Sequence, residues 1–170
     1  MDWWFFAEGT EADARDYLAR FLDDGAAGVE AARADAKAAG VEADFSLLSV
    51  PEMVRWLRTQ VQLVEATPPD GVPDWVQEVV TEHGGGFRDF AEGSRSHILR
   101  AAFYLGESLV TTYPVLRWDI GATDRPEVRQ PVVTGFGSGD DLAVLRAAES
   151  ALAGGDVAAA LARWREAVAG

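Results

Sequence analysis

The stretch 101-AAFYLGESLVTTYPVLRWDIG-121 decides the fold, because it contains the end of a long helix and the beginning of a strand. Apolar residues recur at helical spacing as far as Tyr113, and Pro114 then ends the helical pattern. We expect this helix, the longest of the chain, to begin at about residue 87 or 88. Residues 116–120 and 130–136 are strand candidates joined by a turn-rich segment, which predicts a small antiparallel β-hairpin.

Gly106 stands in the middle of this helix, on its apolar side. At about 100° per residue, the apolar residues between Ile98 and Tyr113 share an arc of about 160° that includes Gly106. A glycine inside a helix costs roughly 1 kcal/mol relative to alanine. We therefore expect another backbone to pack closely against Gly106.

The opposite arc of the same helix is polar, and it continues towards the first strand candidate. Two interpretations stay open: a solvated helix face, or a shallow polar site that the strand residues flank. A Tyr-Glu-Arg group would support proton transfer only if its carboxylate were partly withdrawn from water. The residues of this candidate polar site are His97, Arg100, Tyr104, Glu107, Trp118 and Asp119.

Two helices are predicted before residue 40. Thr10 and Asp13 resemble an N-cap pair, and apolar residues at helical spacing follow them. Gly25 and Gly28 are expected to interrupt this first helix, because glycine is a poor helix former. A second, Ala-rich helix is expected from about residue 29 to 39.

Four more helices are predicted downstream, in addition to the long one. Ser49-x-x-Glu52 is a capping box that opens the first of them. A short helix is expected at residues 74–80. Residues 141–153 and 156–169 are predicted to form a C-terminal helical pair joined by two glycines.

The predicted fold class is α+β and predominantly α-helical. It has about six to seven helices, one small antiparallel β-hairpin at about 116–136 and the C-terminal helical pair. No clear linker divides the chain, so residues 1–170 are predicted to form a single domain.

Composition excludes several classes of function. A net charge of −13 disfavours nucleic acid and anionic membranes as partners, since both require clustered Lys and Arg. The chain has no cysteine, which excludes disulfides and thiolate metal sites. It shows neither a secretory signal nor an apolar run of the ~18 residues that a membrane span needs, so we expect a cytoplasmic protein.

Two glycine-rich motifs resemble ligand-binding loops without the residues that would complete them. The motif 83-HGGG-86 matches an esterase oxyanion loop, but the chain contains no G-x-S-x-G. The motif 135-GFGSG-139 has the wrong spacing for a dinucleotide loop, and Asp140 and Asp141 would repel a pyrophosphate. His83 and His97 are too far apart for a local zinc motif. We therefore predict no catalytic residue, no cofactor and no metal.

The acidic residues are concentrated towards the N-terminus. Residues 1–52 hold twelve acids against four bases, a net charge of −8. Such a surface either is a solvated helix face or attracts a basic protein partner. The residues of the candidate partner surface are Asp13, Asp16, Asp23 and Asp24.

Two features bear on self-association. The aromatic run at residues 3–6 either docks into the core or forms an exposed contact patch, and docking is the favoured interpretation. A two-stranded hairpin has edges that helices must cover or another chain must pair with. A structural subunit that forms a homodimer through either feature is therefore one alternative.

The run 102-AFYLGE-107, followed by Trp118 and then 131-PVVTGF-136, resembles a type of uncharacterised bacterial domain. In that type a helix bearing Y-L-G-E leads into a strand bearing Trp, and some members look like immunity proteins of bacterial toxin systems. The resemblance covers about residues 95–136. It implies the helix-to-strand arrangement and gives no catalytic residue.

These observations predict a non-enzymatic protein-binding domain, immunity-like or regulatory, that uses its acidic surface. The first alternative is an enzyme or small-molecule-binding protein with a pocket between the long helix and the Trp118 strand. The second is the structural homo-oligomeric subunit.

Overall fold

The computed structural model of the chain describes residues 9–68, 86–122 and 129–169, together with Pro73, Gln77 and Val80. Three predictions concern segments that lie entirely or mostly outside these residues. They concern the aromatic run at residues 3–6, the short helix at residues 74–80 and the glycine-rich motif at residues 83–86.

The first helix, α1 (Glu11–Ala38), is continuous over 28 residues. Its N-terminus has the predicted cap: the Asp13 N–H donates to Thr10 Oγ1 at 3.2 Å, and the Thr10 N–H donates to Asp13 Oδ2 at 2.9 Å. The prediction that Gly25 and Gly28 interrupt this helix was wrong. Gly25 is buried beneath the ring of Phe103, so close packing against a later helix outweighs its low helix propensity.

The second helix, α2 (Val50–Arg58), begins at Ser49 as expected but without the predicted capping box. The hydroxyl of Ser49 is used elsewhere, because it donates to the Ser46 carbonyl at 2.8 Å and lies 2.6 Å from the Tyr104 hydroxyl. A tertiary hydrogen bond therefore replaces the local one that the sequence pattern indicates.

The long helix, α3 (Arg95–Thr112), begins later than residue 87 or 88. The preceding residues form strand β2 (Arg88–Phe90), which pairs antiparallel with β1 (Leu63–Glu65), and a 3₁₀ turn (Glu92–Ser94). The predicted start was wrong because the backbone groups of this segment bond to a strand that is distant in the sequence.

The predicted hairpin is present, and a third strand extends it. Strands β3 (Arg117–Ile120) and β4 (Pro131–Thr134) pair antiparallel, with Trp118 opposite Val133. Strand β5 (Leu142–Ala143) pairs with the other side of β4, so β4 is the central strand. The last predicted helical pair accordingly starts at residue 144 rather than 141.

The C-terminal helical pair is confirmed as α4 (Val144–Leu152) and α5 (Val157–Ala169). The fold is α+β and mostly helical, as predicted. The described residues contain five α-helices instead of six to seven, since the two predicted N-terminal helices are one and the helix predicted at residues 74–80 lies outside the described residues. They contain two small sheets instead of one hairpin.

Helix α3 is the centre of the core. Of residues 101–109, only Glu107 is not buried, because α1, α2, α4 and the three-stranded sheet all pack around this helix. The largest side chains with no or almost no exposure include Tyr104, Met53, Leu57, Ile98, Leu105, Leu109 and Leu145. Within the described part of the chain, no helix combines the length and the apolar character needed to cross a bilayer.

Candidate functional site

The outward side of α1 carries a row of exposed carboxylates. All four residues of the predicted partner surface lie there, and two further acids extend the row towards the end of the helix. At about 100° per residue, these acids cover an arc of about 140° outside the buried side, which contains Phe21, Val29 and Ala32. Asp24 and Asp35 lie at the flank of that arc, nearest the buried side. The acidic face, as we call it, consists of Asp13, Asp16, Asp23, Asp24, Glu30 and Asp35.

Two members of the acidic face are engaged by neighbours on the same helix or its cap. The hydrogen bonds from Thr10, first the side chain and then the backbone, hold the pKa of Asp13 below its usual value. Glu30 pairs with Arg33 at 2.6 Å. The other four carboxylates form no ion pair and no side-chain hydrogen bond with any described residue, which leaves them free to attract a cation.

The candidate polar site does not form a single surface. Tyr104 is fully buried, and its ring stacks on Phe45 with a centroid distance of 4.8 Å. The Tyr104 hydroxyl accepts a hydrogen bond from the Phe45 N–H at 3.1 Å and shares another with Ser49 Oγ at 2.6 Å. Burial raises the pKa of Tyr104, although these hydrogen bonds oppose the increase. Tyr104 therefore joins α3 to α2 and the segment before it.

Glu107 and Trp118 do contact each other, on another side of α3. The Trp118 Nε1–H donates to Glu107 Oε2 at 3.1 Å. The indole also lies against Gly106, where a Cβ would stand 2.9 Å from Cζ3 and closer still to the neighbouring ring atoms. The close neighbour of Gly106 is thus a side chain and not the backbone that the sequence led us to expect. The ring itself occupies the space between α3 and β3 where the alternative pocket was predicted.

Asp119 points away from Glu107, as expected for the next residue of a strand. Its Oδ1 accepts a hydrogen bond from the Ile120 N–H at 2.8 Å and lies 4.0 Å from the Arg15 guanidinium. Asp119 thus contacts the base of α1 and takes no part in the Glu107–Trp118 pair.

His97 and Arg100 belong to a third region, at the N-terminal half of α3. His97 is partly buried, and its Nδ1 has no hydrogen-bond partner among the residues that the structure describes. Burial, and secondly the charge of Arg100, lower the pKa of His97. Arg100 itself lies beside Gly28 of α1, where its Cγ and Nε would be 3.8 Å from an added Cβ.

A cleft of about 420 Å³ lies between α1 and this half of α3. Its walls combine three arginines with an apolar floor and two glycines. The lining residues are Tyr17, Arg20, Phe21, Asp24, Gly25, Gly28, Arg95, Ser96, Leu99 and Arg100.

Sequence reasoning identified only Arg100 and Asp24 among the polar residues of this cationic cleft and missed Arg20 and Arg95. A signal was available in the spacing of Gly25 and Gly28, because two small residues one turn apart on a helix leave room for a neighbour. We interpreted them as helix breakers instead.

Within the described residues, no group of three or more His, Asp or Glu side chains is arranged to hold a metal ion. No family model, no curated protein and no solved structure matches this chain. The resemblance of residues 95–136 to an immunity-like bacterial domain type therefore stays a prediction.

Proposed function

We propose that the chain is a non-enzymatic binding domain that engages a basic protein through the acidic face. The observation that carries this proposal is the set of four carboxylates, on Asp16, Asp23, Asp24 and Asp35, that have no cationic partner among the described residues. On an α-helix these four span about 28 Å, at 1.5 Å per residue. That length matches an extended contact better than a single ion site.

The geometry of α1 suits such a contact. A continuous helix capped at Thr10 holds its charges in fixed relative positions, so little conformational entropy is lost when a partner binds. Exposed charges steer a partner of opposite sign and raise the association rate more than the affinity. The Debye length is about 8 Å at physiological ionic strength, and added salt should therefore slow the association.

The immunity-like role that the resemblance implies is a specific form of this proposal. In that form the basic partner would be a toxin domain, which the acidic face would cover. A regulatory domain with another basic partner would use the same surface.

Matched charge reversals test the proposal. The double variant Asp23→Lys/Asp24→Lys changes the acidic face, and Glu42→Lys/Glu166→Lys makes the same change of net charge at exposed residues elsewhere. Partners captured by the parent chain from its own cells would be identified by mass spectrometry and their association rates measured by surface plasmon resonance over a range of salt. We expect the first variant to lower the association rate of a basic partner about tenfold and the control to leave it nearly unchanged.

Two results would overturn the proposal. One is an equal loss in both double variants, because net charge alone would then explain the binding. The other is a set of partners that are not basic and whose association does not depend on salt.

A further inference from the structure

We infer that the cationic cleft between α1 and α3 is a binding site for a small organic anion, one that joins a carboxylate or phosphate to an apolar group. This inference rests on residues of the cleft, which face away from most of the acidic face. Its test is therefore independent of the test for a protein partner.

The charge of the cleft is unusual for this chain. The net charge is −13, with only 15 lysines and arginines, yet Arg20, Arg95 and Arg100 line one cleft with Asp24 as its sole acid among the described lining residues. The arginine guanidinium presents a planar set of donors that matches carboxylate and phosphate oxygens. A cluster of three therefore favours an anionic ligand.

The donors of these arginines are available. The side chains of Arg95 and Arg100 form no ion pair and no hydrogen bond with any described residue. Arg20 uses its Nε–H on the Asp16 carbonyl oxygen at 3.3 Å, which leaves its terminal amino groups free of described partners. The arginines thus do not simply neutralise carboxylates of α1, since no described carboxylate lies within ion-pair distance of them.

The arginines come from both helices that form the walls of the cleft, Arg20 from α1 and Arg95 and Arg100 from α3. Tyr17 lines the same cleft; burial raises the pKa of its phenol, and the charges of Arg95 and then Arg20 oppose that increase. Arg100 also lines the cleft, where its side chain lies beside Gly28 of α1. Because Gly28 has no side chain, the Arg100 side chain can lie directly against the backbone of α1 there.

The rest of the cleft is apolar. Phe21 is 6% exposed and stacks with Tyr17 at a centroid distance of 6.5 Å, and Leu99 completes the floor. Small-molecule sites commonly enclose about 300–1,000 Å³ and combine an apolar lining with a few polar groups, and this cleft fits that description. The floor therefore selects a ligand with an aromatic or aliphatic portion beside its charged group.

The position of the cleft on α3 adds to the positive potential. Arg95 and Ser96 are the first two residues of α3, and no acid stands in its first turn. The N-terminal end of a helix carries a partial positive charge that favours anions. This contribution has the same sign as that of the three arginines.

Nuclear magnetic resonance titration of the full chain tests the inference with four probes: phenyl phosphate, phenylacetate, inorganic phosphate and benzyl alcohol. We expect saturable amide shifts at Gly25, Gly28, Ser96 and Arg100 with phenyl phosphate or phenylacetate, weaker shifts with inorganic phosphate and none with benzyl alcohol. The relative affinity of the first two probes distinguishes a phosphate ligand from a carboxylate ligand. Saturable binding of benzyl alcohol at equal affinity, or no saturable shift with any anion, would overturn the inference.

Three variants locate the site. Arg95→Gln and Arg100→Gln should each weaken the binding of the anionic probes about tenfold, whereas the exposed control Arg165→Gln should leave it unchanged.

Ser96→Asp tests the site with a change that should not unfold the chain, because Ser96 is exposed and an acid in the first turn of a helix is favourable. It should abolish anion binding in a chain that is at least as stable as the parent. Unchanged binding in Ser96→Asp would place the anion elsewhere.

Discussion

The indole of Trp118 lies against the backbone of Gly106, and its Nε1–H donates to Glu107, one residue further along the same helix, with an Nε1···Oε2 distance of 3.1 Å. The same ring meets Phe103 at a centroid distance of 6.1 Å and Phe21 edge-on at 5.6 Å. Trp118 therefore joins β3 to α3 and, through Phe21, to α1. Its position explains why a glycine is found in the middle of the central helix.

The contact predicts the effect of adding one carbon at Gly106. In Gly106→Ala the new Cβ would overlap the Trp118 ring, and moving that ring would also weaken its hydrogen bond to Glu107. We expect a loss of about 1–3 kcal/mol in the free energy of unfolding, the range typical of an overpacked core. Unfolding in urea, followed by tryptophan fluorescence and circular dichroism, measures it.

Gly28→Ala is the matched control, because Gly28 is also helical but an added Cβ would make only ordinary contacts at 3.8 Å. It should be neutral or stabilising by up to about 1 kcal/mol, the gain in helix propensity. If both alanine variants were equally stable, the close contact at Gly106 would not explain the glycine.

Tyr104→Phe should lower stability even though it removes a single oxygen. The hydroxyl bonds to Ser49 Oγ and accepts from the Phe45 N–H, and the phenylalanine ring would leave that N–H without its partner. We expect a loss of about 1–2 kcal/mol in the free energy of unfolding. Tyr113→Phe is the control, since the described residues form no hydrogen bond with the Tyr113 hydroxyl, and it should change stability by less than about 0.5 kcal/mol. Equal effects of the two changes would show that the Tyr104 hydrogen bonds add little.

The elements that the sequence predicted correctly are those that depend on residues close together in the chain. The cap at Thr10 and Asp13, the break at Pro114 and the C-terminal helical pair depend on nearby residues, and the structure has all three. The two-residue strand β5 is too short to show a period, and its only evidence is its pairing with β4. The late start of α3 likewise depends on strand β1, which precedes it by many residues.

The side chains whose roles were predicted wrongly are those that pack against residues distant in the sequence. Gly25 looks like a helix breaker until Phe103 is placed over it, and Ser49 looks like a cap until Tyr104 reaches it. Tyr104 falls on the polar arc of its helix, but its hydroxyl finds partners inside the core. The cationic cleft required α1 and α3 to be placed side by side, which no spacing in either helix specifies.

The hydrogen bonds to Asp44 predict that the free energy of unfolding falls at acidic pH. Its side chain accepts from the Ser46 N–H at 2.9 Å, and hydrogen bonds from Ser46, first the side chain, lower the pKa of Asp44 from its usual 3.8 to about 2. Because the pKa is lower in the folded state than in the unfolded state, the stabilisation is complete above pH 3.8. It is lost as the pH falls towards 2.

Asp44→Asn should therefore reduce the free energy of unfolding at neutral pH, and the gap to the parent chain should close between about pH 4 and pH 2. Denaturant unfolding at a series of pH values measures the gap. Asp23→Asn removes an equally exposed charge that has no described hydrogen bond, and serves as the control. A gap between the parent and Asp44→Asn that did not change over this window would contradict the assignment.

Arg58 is expected to hold the C-terminal helices to α2. Its Nε–H donates to the Ala151 carbonyl at 2.6 Å, in the last turn of α4, and its terminal amino group donates to the Gly155 carbonyl in the turn before α5. Both bonds join the side chain from α2 to backbone groups of the C-terminal pair, and the Ala151 carbonyl also accepts from the Ala153 N–H. Arg58→Met should lower the free energy of unfolding by about 1–3 kcal/mol. Arg58→Lys should recover only part of this loss, because an ammonium cannot reproduce the planar pair of donors.

Arg55→Met, three residues earlier, is the control. It removes an exposed arginine whose partner is Glu52 on the same helix, and it should cost less than about 1 kcal/mol. If Arg58→Met and Arg55→Met were equally mild in urea unfolding, the contact between α2 and the C-terminal pair would depend on its apolar residues alone.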